Sequence, residues 1–233
     1  MRNLKGSLAG ASALFLACGF AYAGDGNVLR LIQTSPSGAV EGNSILVDQT
    51  GADRSLVSGP SNDMLSLGSS LTLDGITTAR GDSLRAAVQR GDGNDATITM
   101  TGEGGEIQIL QDSSSEGAGA VGNTAVVNAL GAATLGVVLQ TGTENLATLD
   151  LADQSRGLIV QNGNSNTGGL TVEEGGTGRL TQEGSLNNYV ATVQAGTNAD
   201  MTQTGNGQTT AGTQGISVFS TNPGTISITQ TGF

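Results

Sequence analysis

The chain contains few of the side chains on which most catalytic and metal sites depend. Its 233 residues include no histidine, no tryptophan, one cysteine and three prolines, and aromatic residues make up 3% of the total. The single lysine and the single cysteine, Lys5 and Cys18, both precede residue 24. Residues 24–233 therefore lack imidazole, thiol and amine groups, which excludes a disulfide scaffold and any site built on those groups. We expect no cofactor and no metal.

A long apolar run is also missing. The clearest one, residues 13–20, follows Arg2 and Lys5 and precedes the small residues of 21–23, a pattern typical of a secretory signal peptide at 1–23. The run is too short to span a bilayer, and no later segment approaches the roughly 20 apolar residues of a membrane helix. We expect the rest of the chain to be secreted, without membrane insertion.

Basic residues are scarce, whereas glycine and acidic residues are abundant. Residues 24–233 carry seven arginines and 20 acidic residues, a net charge of −13, and the whole chain has 38 glycines. Such a chain is repelled by nucleic acid phosphates and by anionic membranes, so we expect no nucleic acid partner. The composition fits either a disordered chain or a repeat architecture with a thin core.

A repeated hexamer favours the repeat architecture. QTGTEN at 140–145 returns as QNGNSN at 161–166, QEGSLN at 182–187 and QTGNGQ at 203–208, a spacing of 21 residues. Flanking residues alternate with a period of two and glycine punctuates the turns, which indicates strands rather than helices. The position two before each glutamine is apolar: Val47, Ala87, Ile109, Val138, Ile159, Leu180, Met201 and Ile228, before Gln49, Gln89, Gln111, Gln140, Gln161, Gln182, Gln203 and Gln230.

One strand-turn-strand unit cannot bury its own face, but stacked units can. We therefore predict an all-β fold: a single β-solenoid of strand-turn-strand repeats of about 21 residues, with roughly nine or ten layers. Buried amides would bond the equivalent amides above and below, which also sets the register. The predicted stacking amides are Gln89, Asn94, Gln111, Gln140, Asn145, Gln161, Asn166, Gln182, Asn187 and Gln203. Glycines are expected where the turn needs a positive φ, at Gly91, Gly142, Gly163, Gly184 and Gly205.

The chain divides by how regular the repeat is. After the signal peptide at 1–23, residues 24–83 form degenerate N-terminal repeats or a cap, and 84–233 form the regular solenoid. Residues 55–80 lack the hexamer, although LSLGSSLTL at 65–73 alternates as strands do. Residues 112–120, rich in Ser and Gly, are predicted to be a loop, because 29 residues separate Gln111 from Gln140.

These repeats resemble the curlin repeat of bacterial curli fibre subunits, Gln-x-Gly-x-x-Asn-x-Ala-x-Val-x-Gln. The chain shows it as QTGTENLATLDL at 140–151 and QRGDGNDATITM at 89–100, and GNSILVDQTG at 42–51 is similar to the second half of one repeat running into the next. The resemblance covers most of 28–54 and 84–233. The chain departs from the pattern at the closing glutamine, which is replaced by Met100, Leu151, Val172 and Val193, and a Gly-rich leader is not evident after Gly24.

The resemblance implies a secreted subunit that polymerises at a bacterial surface as functional amyloid, building adhesive fimbriae and biofilm matrix. It implies self-association, other curlin-type subunits as partners, and export through an outer-membrane channel. The glutamines and asparagines of the hexamers would be the stacking amides. The alternative is a non-polymerising surface adhesin or accessory solenoid, whose end layers would need caps.

Other functions have weaker support in the sequence. Acidic residues such as Glu144, Asp150 and Glu173 are scattered rather than clustered, so we expect no enzyme. GDGND at 91–95 faintly resembles a calcium β-roll motif but occurs once, which favours a turn. Arg-Gly-Asp, at 80–82 and 90–92, carries little information in a chain of this composition.

Four residues beside the repeat leave two interpretations open. Val137, Leu139, Leu158 and Val160 give the outward face of two units an apolar surface. It is either a lateral contact between filaments or a surface covered by a loop of the same chain.

Overall fold

The computed structural model describes residues 25–35, 41–60, 85–116, 119–209, 216–220 and 224–232. The predicted signal peptide at 1–23, the alternating segment at 65–73 and the Arg-Gly-Asp at 80–82 lie outside these residues. The described chain is mostly β-strand, with one short 3-10 helix at Ser114–Glu116. Its strands are β1 (Val28–Leu29), β2 (Leu31–Thr34), β3 (Ser44–Asp48), β4 (Leu56–Ser58), β5 (Ala87–Arg90), β6 (Asp95–Met100), β7 (Glu106–Asp112), β8 (Thr124–Ala129), β9 (Leu135–Thr141), β10 (Leu146–Leu151), β11 (Arg156–Asn162), β12 (Thr167–Val172), β13 (Thr177–Glu183), β14 (Asn188–Val193), β15 (Asn198–Thr204), β16 (Ile216–Val218) and β17 (Thr225–Thr231).

The strands form two parallel sheets between which the chain alternates. In the first sheet, β1 and β2 lie end to end at one edge, and β4 and β5 lie end to end next to them. The following strands are, in order, β7, β9, β11, β13, β15 and β17. The second runs β3, β6, β8, β10, β12, β14, β16. Each strand of the regular part pairs with its equivalent in the preceding and following units, so the unit cannot form a sheet on its own. The predicted all-β solenoid of stacked strand-turn-strand units is confirmed.

The register keeps equivalent residues opposite one another. Gln140 pairs with Gln161, Gln161 with Gln182, and Gln182 with Gln203 in the first sheet. In the second sheet, Leu149 pairs with Leu170. A slip by one residue would turn both the amides and the apolar side chains outward, and this cost explains why the 21-residue period is so regular.

The described residues form fewer layers than the roughly nine or ten that were predicted for the whole of residues 24–233. Its strands make eight layers in the first sheet and seven in the second. β4 and β5 pair with opposite halves of β7 and so form a single layer. Among the described residues, no further layer lies between β4 and β5 in the sequence, and none lies between β7 and β8. Both sheets contain strands from 24–83, the predicted degenerate repeats, as well as strands from 84–233, the predicted regular solenoid.

Gln49 does not belong to the glutamine series, so the prediction that Val47 and Gln49 continue it was wrong. Val47 lies on β3 in the second sheet, where it pairs with Ile98. The Gln49 amide follows that strand and donates to Ser55 Oγ at 2.7 Å. The motif misled because Gln-x-Gly also occurs at the end of this second-sheet strand, where curlin-type repeats carry a closing glutamine. Gln33, on β2, pairs with Gln89 and holds the position in the first sheet.

The core is thin because the two sheets face each other across small and branched side chains. Ile159 and Leu180 of the first sheet and Leu149 and Leu170 of the second are at most 1% exposed. A Cβ on Gly157 would lie 2.6 Å from Leu149 Cδ1, so glycine on one sheet makes room for leucine on the other. Such matching of small and large side chains keeps the interior densely packed.

Tyr189 is the one aromatic side chain buried in the described core. It pairs in register with Gly168 of the preceding layer and is 1% exposed. Burial raises the pKa of the Tyr189 phenol, because the charged form would be poorly solvated there.

The apolar residues on the outward face of the first sheet are covered. Val137 and Leu158 are fully buried, and Leu139 and Val160 are 5% and 4% exposed within a single chain. Of the two interpretations, coverage within the chain therefore holds, and these four side chains are not a free surface for contact between filaments.

Candidate functional site: two columns of stacked amides

A column of eight glutamines runs through the whole described length of the first sheet. The Nε2 of each glutamine donates to the Oε1 of the glutamine in the next layer, over 2.7 to 2.9 Å. From the first layer to the last the column consists of Gln33, Gln89, Gln111, Gln140, Gln161, Gln182, Gln203 and Gln230. The six predicted glutamines thus lie in one continuous chain of hydrogen bonds, and the four predicted asparagines lie apart from it.

The second column consists of asparagines at the start of the second-sheet strands. Asn145 donates from Nδ2 to Asn123 Oδ1 at 2.9 Å, and Asn166 donates to Asn145 Oδ1 at 3.0 Å. The backbone N–H of an asparagine donates to the same oxygen, as that of Asn187 does to Asn166 at 3.1 Å. The column consists of Asn43, Asn94, Asn123, Asn145, Asn166 and Asn187.

The buried glutamines also bond the backbone, which satisfies the second hydrogen of each amide. Gln161 Nε2 donates to the carbonyl of Leu146 at 2.9 Å, and Gln182 Nε2 donates to that of Thr167 at 2.9 Å. Both side chains are at most 1% exposed. Because a buried amide with an unmet donor or acceptor costs about 1–3 kcal/mol, this double use stabilises the column.

The predicted glycines all occupy the turn between the two sheets with a positive φ. Gly91, Gly142, Gly163, Gly184 and Gly205 have φ values of 95°, 101°, 127°, 105° and 110°. A Cβ on Gly163 would lie 1.9 Å from the carbonyl oxygen of Gly184 in the next layer. The Gly163 carbonyl in turn accepts a hydrogen bond from Asn145 Nδ2 at 2.7 Å. Glycine is required at this position by the backbone φ and by the close approach of the next turn.

The predicted stacking amides did not include four members of the columns, although Gln230 already belonged to the predicted glutamine series. Gln33 and Gln230 end the glutamine column, and Asn43 and Asn123 belong to the asparagine column. For the two asparagines a usable signal exists, since NSILV at 43–47 and NTAVV at 123–127 match the second half of the repeat. Gln33 offers no such signal, because it and Gln89 are 56 residues apart.

Asp92, the acidic residue of the Arg-Gly-Asp at 90–92, is a structural residue. It is 1% exposed, and its two carboxylate oxygens accept from the backbone N–H groups of Glu41 and Gly119, each at 3.1 Å. These bonds tie together the turns of adjacent layers. The carboxylate is therefore occupied by the chain itself.

Comparison with protein-family models gave no match, and neither the curated proteins nor the solved structures contain a significantly similar chain. The curlin resemblance therefore rests on the repeat residues quoted above. No helix within the described residues is long and apolar enough to cross a membrane. The same part of the chain contains no group of three or more acidic, histidine or cysteine side chains placed to hold a metal ion.

The two ends of the stack differ in charge. The N-terminal layer carries Asp25, Arg30 and Asp48, and the Thr50 N–H and hydroxyl lower the pKa of the Asp48 carboxyl, which keeps it charged to lower pH. At the other end, residues 201–233 contain no charged side chain. Among the described residues, β17 pairs only with β15 and β16 only with β14. The C-terminal end is thus an uncharged pair of strand edges.

Proposed function

We propose that this protein is a secreted, curli-type fibre subunit, which self-assembles end to end into extracellular functional amyloid at a bacterial surface. The fibres would serve in adhesion and in the biofilm matrix. Its partners would be further copies of itself, other curlin-type subunits and an outer-membrane export channel. Catalysis forms no part of the proposal, since the buried polar groups of the columns bond one another.

The observation that carries this proposal is the glutamine column between two strand edges that lack a further partner among the described residues. β1 and β2 form one edge of the first sheet and β17 forms the other. Unpaired N–H and C=O groups on such an edge are a template for another strand. Edges of soluble proteins are commonly protected by charged side chains, but β17 has none.

The test is assembly of the purified protein. We expect residues 24–233 to form filaments visible by electron microscopy, with rising thioflavin fluorescence and a cross-β reflection near about 4.7 Å in fibre diffraction. A β-rich protein that stays monomeric over the same period would contradict the proposal. It would favour the alternative, a surface adhesin or accessory solenoid.

Salt and acid are expected to accelerate fibre growth. The net charge of −13 on residues 24–233 repels incoming molecules, and this repulsion between exposed charges weakens as the ionic strength rises. Lowering the pH toward the ordinary carboxyl pKa of about 4 protonates Asp and Glu and reduces the same repulsion. Elongation rates measured on fixed amounts of sonicated fibre should rise between low and moderate salt. A rate that does not change would contradict this prediction.

A further inference from the structure

The hydrogen bonds of the glutamine column all point in one direction. In each of the seven pairs, the glutamine nearer the N-terminus donates through Nε2 and the next one accepts through Oε1. The asparagine column has the opposite polarity, because Asn145 donates back to Asn123 and Asn166 donates back to Asn145. The stack therefore has chemically distinct ends.

The backbone locks this direction. Gln140 Nε2 also donates to the Thr124 carbonyl at 2.9 Å, as Gln161 does to Leu146 and Gln182 does to Thr167. Turning one amide over would place its oxygen against a backbone carbonyl and against the oxygen of the next glutamine. Since such contacts repel and leave donors unmet, no member of the column can reverse alone.

The two end members of the column are complementary. Gln33 uses its Nε2 on Gln89, and its Oε1 accepts no hydrogen bond from the described residues. Gln230 accepts from Gln203, and its Nε2 has the Thr209 carbonyl as its one acceptor within the described chain. An amide nitrogen carries two hydrogens, so Gln230 can donate one more bond of the kind made throughout the column.

The end strands match in the register that joins these two residues. Residues 28–34 read VLRLIQT, and β17 reads TISITQT. Placing Gln230 over Gln33 puts Ile226 over Leu29. Leu29 pairs with the fully buried Val57 and yet is 48% exposed, because no described strand of the chain lies beyond it. A second copy in this register would cover it.

We propose that Gln230 of one copy donates to Gln33 of the next, and that this pair determines which ends join and in which orientation. The inference rests on the proposed end-to-end assembly and names the residues that direct it. If two C-terminal ends met, the Gln230 amide donors of both copies would face each other. If two N-terminal ends met, the Gln33 amide oxygens of both copies would face each other. The partner selected at each end is therefore the opposite end of a second copy.

The experiment uses two variants that fail alone and complement each other. In Gln230→Glu the carboxylate still accepts from Gln203 but opposes the Gln33 oxygen of the next copy. In Gln33→Lys the ammonium can still donate to Gln89 but opposes the Gln230 donor of its neighbour. Because each variant repels a further copy of itself, each alone should elongate at least about tenfold more slowly than the wild type.

A one-to-one mixture of the two variants should recover fast elongation. The copies can alternate along the fibre, and both joints of such a fibre are attractive. One joint is the wild-type contact, in which Gln230 of one copy donates to Gln33 of the next. The other brings the carboxylate of Gln230→Glu against the ammonium of Gln33→Lys, a charge-assisted hydrogen bond.

The protein is expressed from its full coding sequence, exported and purified as monomer, and elongation is followed on wild-type seeds. Gln154→Glu, at an exposed turn away from the column, is the control for the added charge and should elongate like the wild type. Recovery of the mixture would support the inference, since misfolded variants would not rescue each other. Wild-type rates for either single variant, or a mixture as slow as its components, would overturn it. Absence of fibres from the wild type would instead refute the proposed function itself.

Discussion

Replacing Gln161 with leucine is expected to lower the free energy of unfolding by about 2–4 kcal/mol. Leucine has a similar size, but it removes the acceptor of Gln140 Nε2 and the donor to Gln182 Oε1 in the middle of the column. Both groups belong to side chains that are fully buried, so water cannot replace the lost partner. The loss is measured by urea unfolding of freshly prepared monomer, followed by circular dichroism.

The matched control for this experiment is Gln154→Leu. Gln154 lies in an exposed turn, so the same substitution there is expected to change the unfolding free energy by no more than about 0.5 kcal/mol. Equal unfolding midpoints for Gln161→Leu and the wild type would contradict the claim that the column stabilises the fold.

Gly163→Ala is expected to destabilise the chain by about 3–5 kcal/mol, through two effects that add. The backbone φ of 127° disfavours any side chain, and the new Cβ would lie 1.9 Å from the Gly184 carbonyl oxygen. Because that oxygen belongs to the backbone of the next layer, relief of the clash requires the layers to move apart. The hydrogen bond from Asn166 to Gly184, at 2.8 Å, would then lengthen.

Gly224→Ala separates the two effects. Gly224 also has a positive φ outside the left-handed α region, 149°, but a Cβ there would meet no atom within 4 Å. We expect a cost of about 1–2 kcal/mol for the backbone alone. The difference between the two variants, measured by the same urea unfolding, reports the close approach of the stacked turns. Equal losses would show that the turns are not stacked as tightly as the structure has them.

The regular part of the fold could be predicted because two periods coincide there. The two-residue alternation marks which side chains point inward, and the 21-residue spacing from Gln140 to Gln203 shows that those side chains recur at the same place. Inward amides at a constant spacing leave few arrangements other than a stack. The register of the strands followed from that single constraint.

The N-terminal layers could not be predicted in the same way. The chain between β4 and β5 separates two pieces of one layer, so Gln33 and Gln89 are neighbours in space although 56 residues apart. Asn123 follows Gln111 by 12 residues, whereas Asn145 follows Gln140 by five, and the hexamer is therefore lost. A periodicity argument fails wherever an insertion interrupts the layer.

The positive φ of the fifth hexamer position was also not predictable. Glu144, Ser165 and Leu186 adopt φ values of 57°, 57° and 61°, a region that non-glycine residues rarely occupy. Gly93 and Gly207 hold the equivalent position in other layers, with φ values of 65° and 67°. The conformation is thus imposed by the repeated turn, and the stacking of neighbouring layers outweighs the local preference of each residue.

The mass per unit length of the filaments tests the central claim most directly. If each molecule contributes eight layers at about 4.8 Å, it occupies about 38 Å of fibre, and residues 24–233 give about 5–6 kDa per nanometre for a single filament. Scanning transmission electron microscopy of unstained filaments measures this quantity. We predict a value of about 5–6 kDa per nanometre or a small whole multiple of it. A value near about 45 kDa per nanometre, one molecule for each layer of about 4.8 Å, would contradict the end-to-end stacking of solenoids.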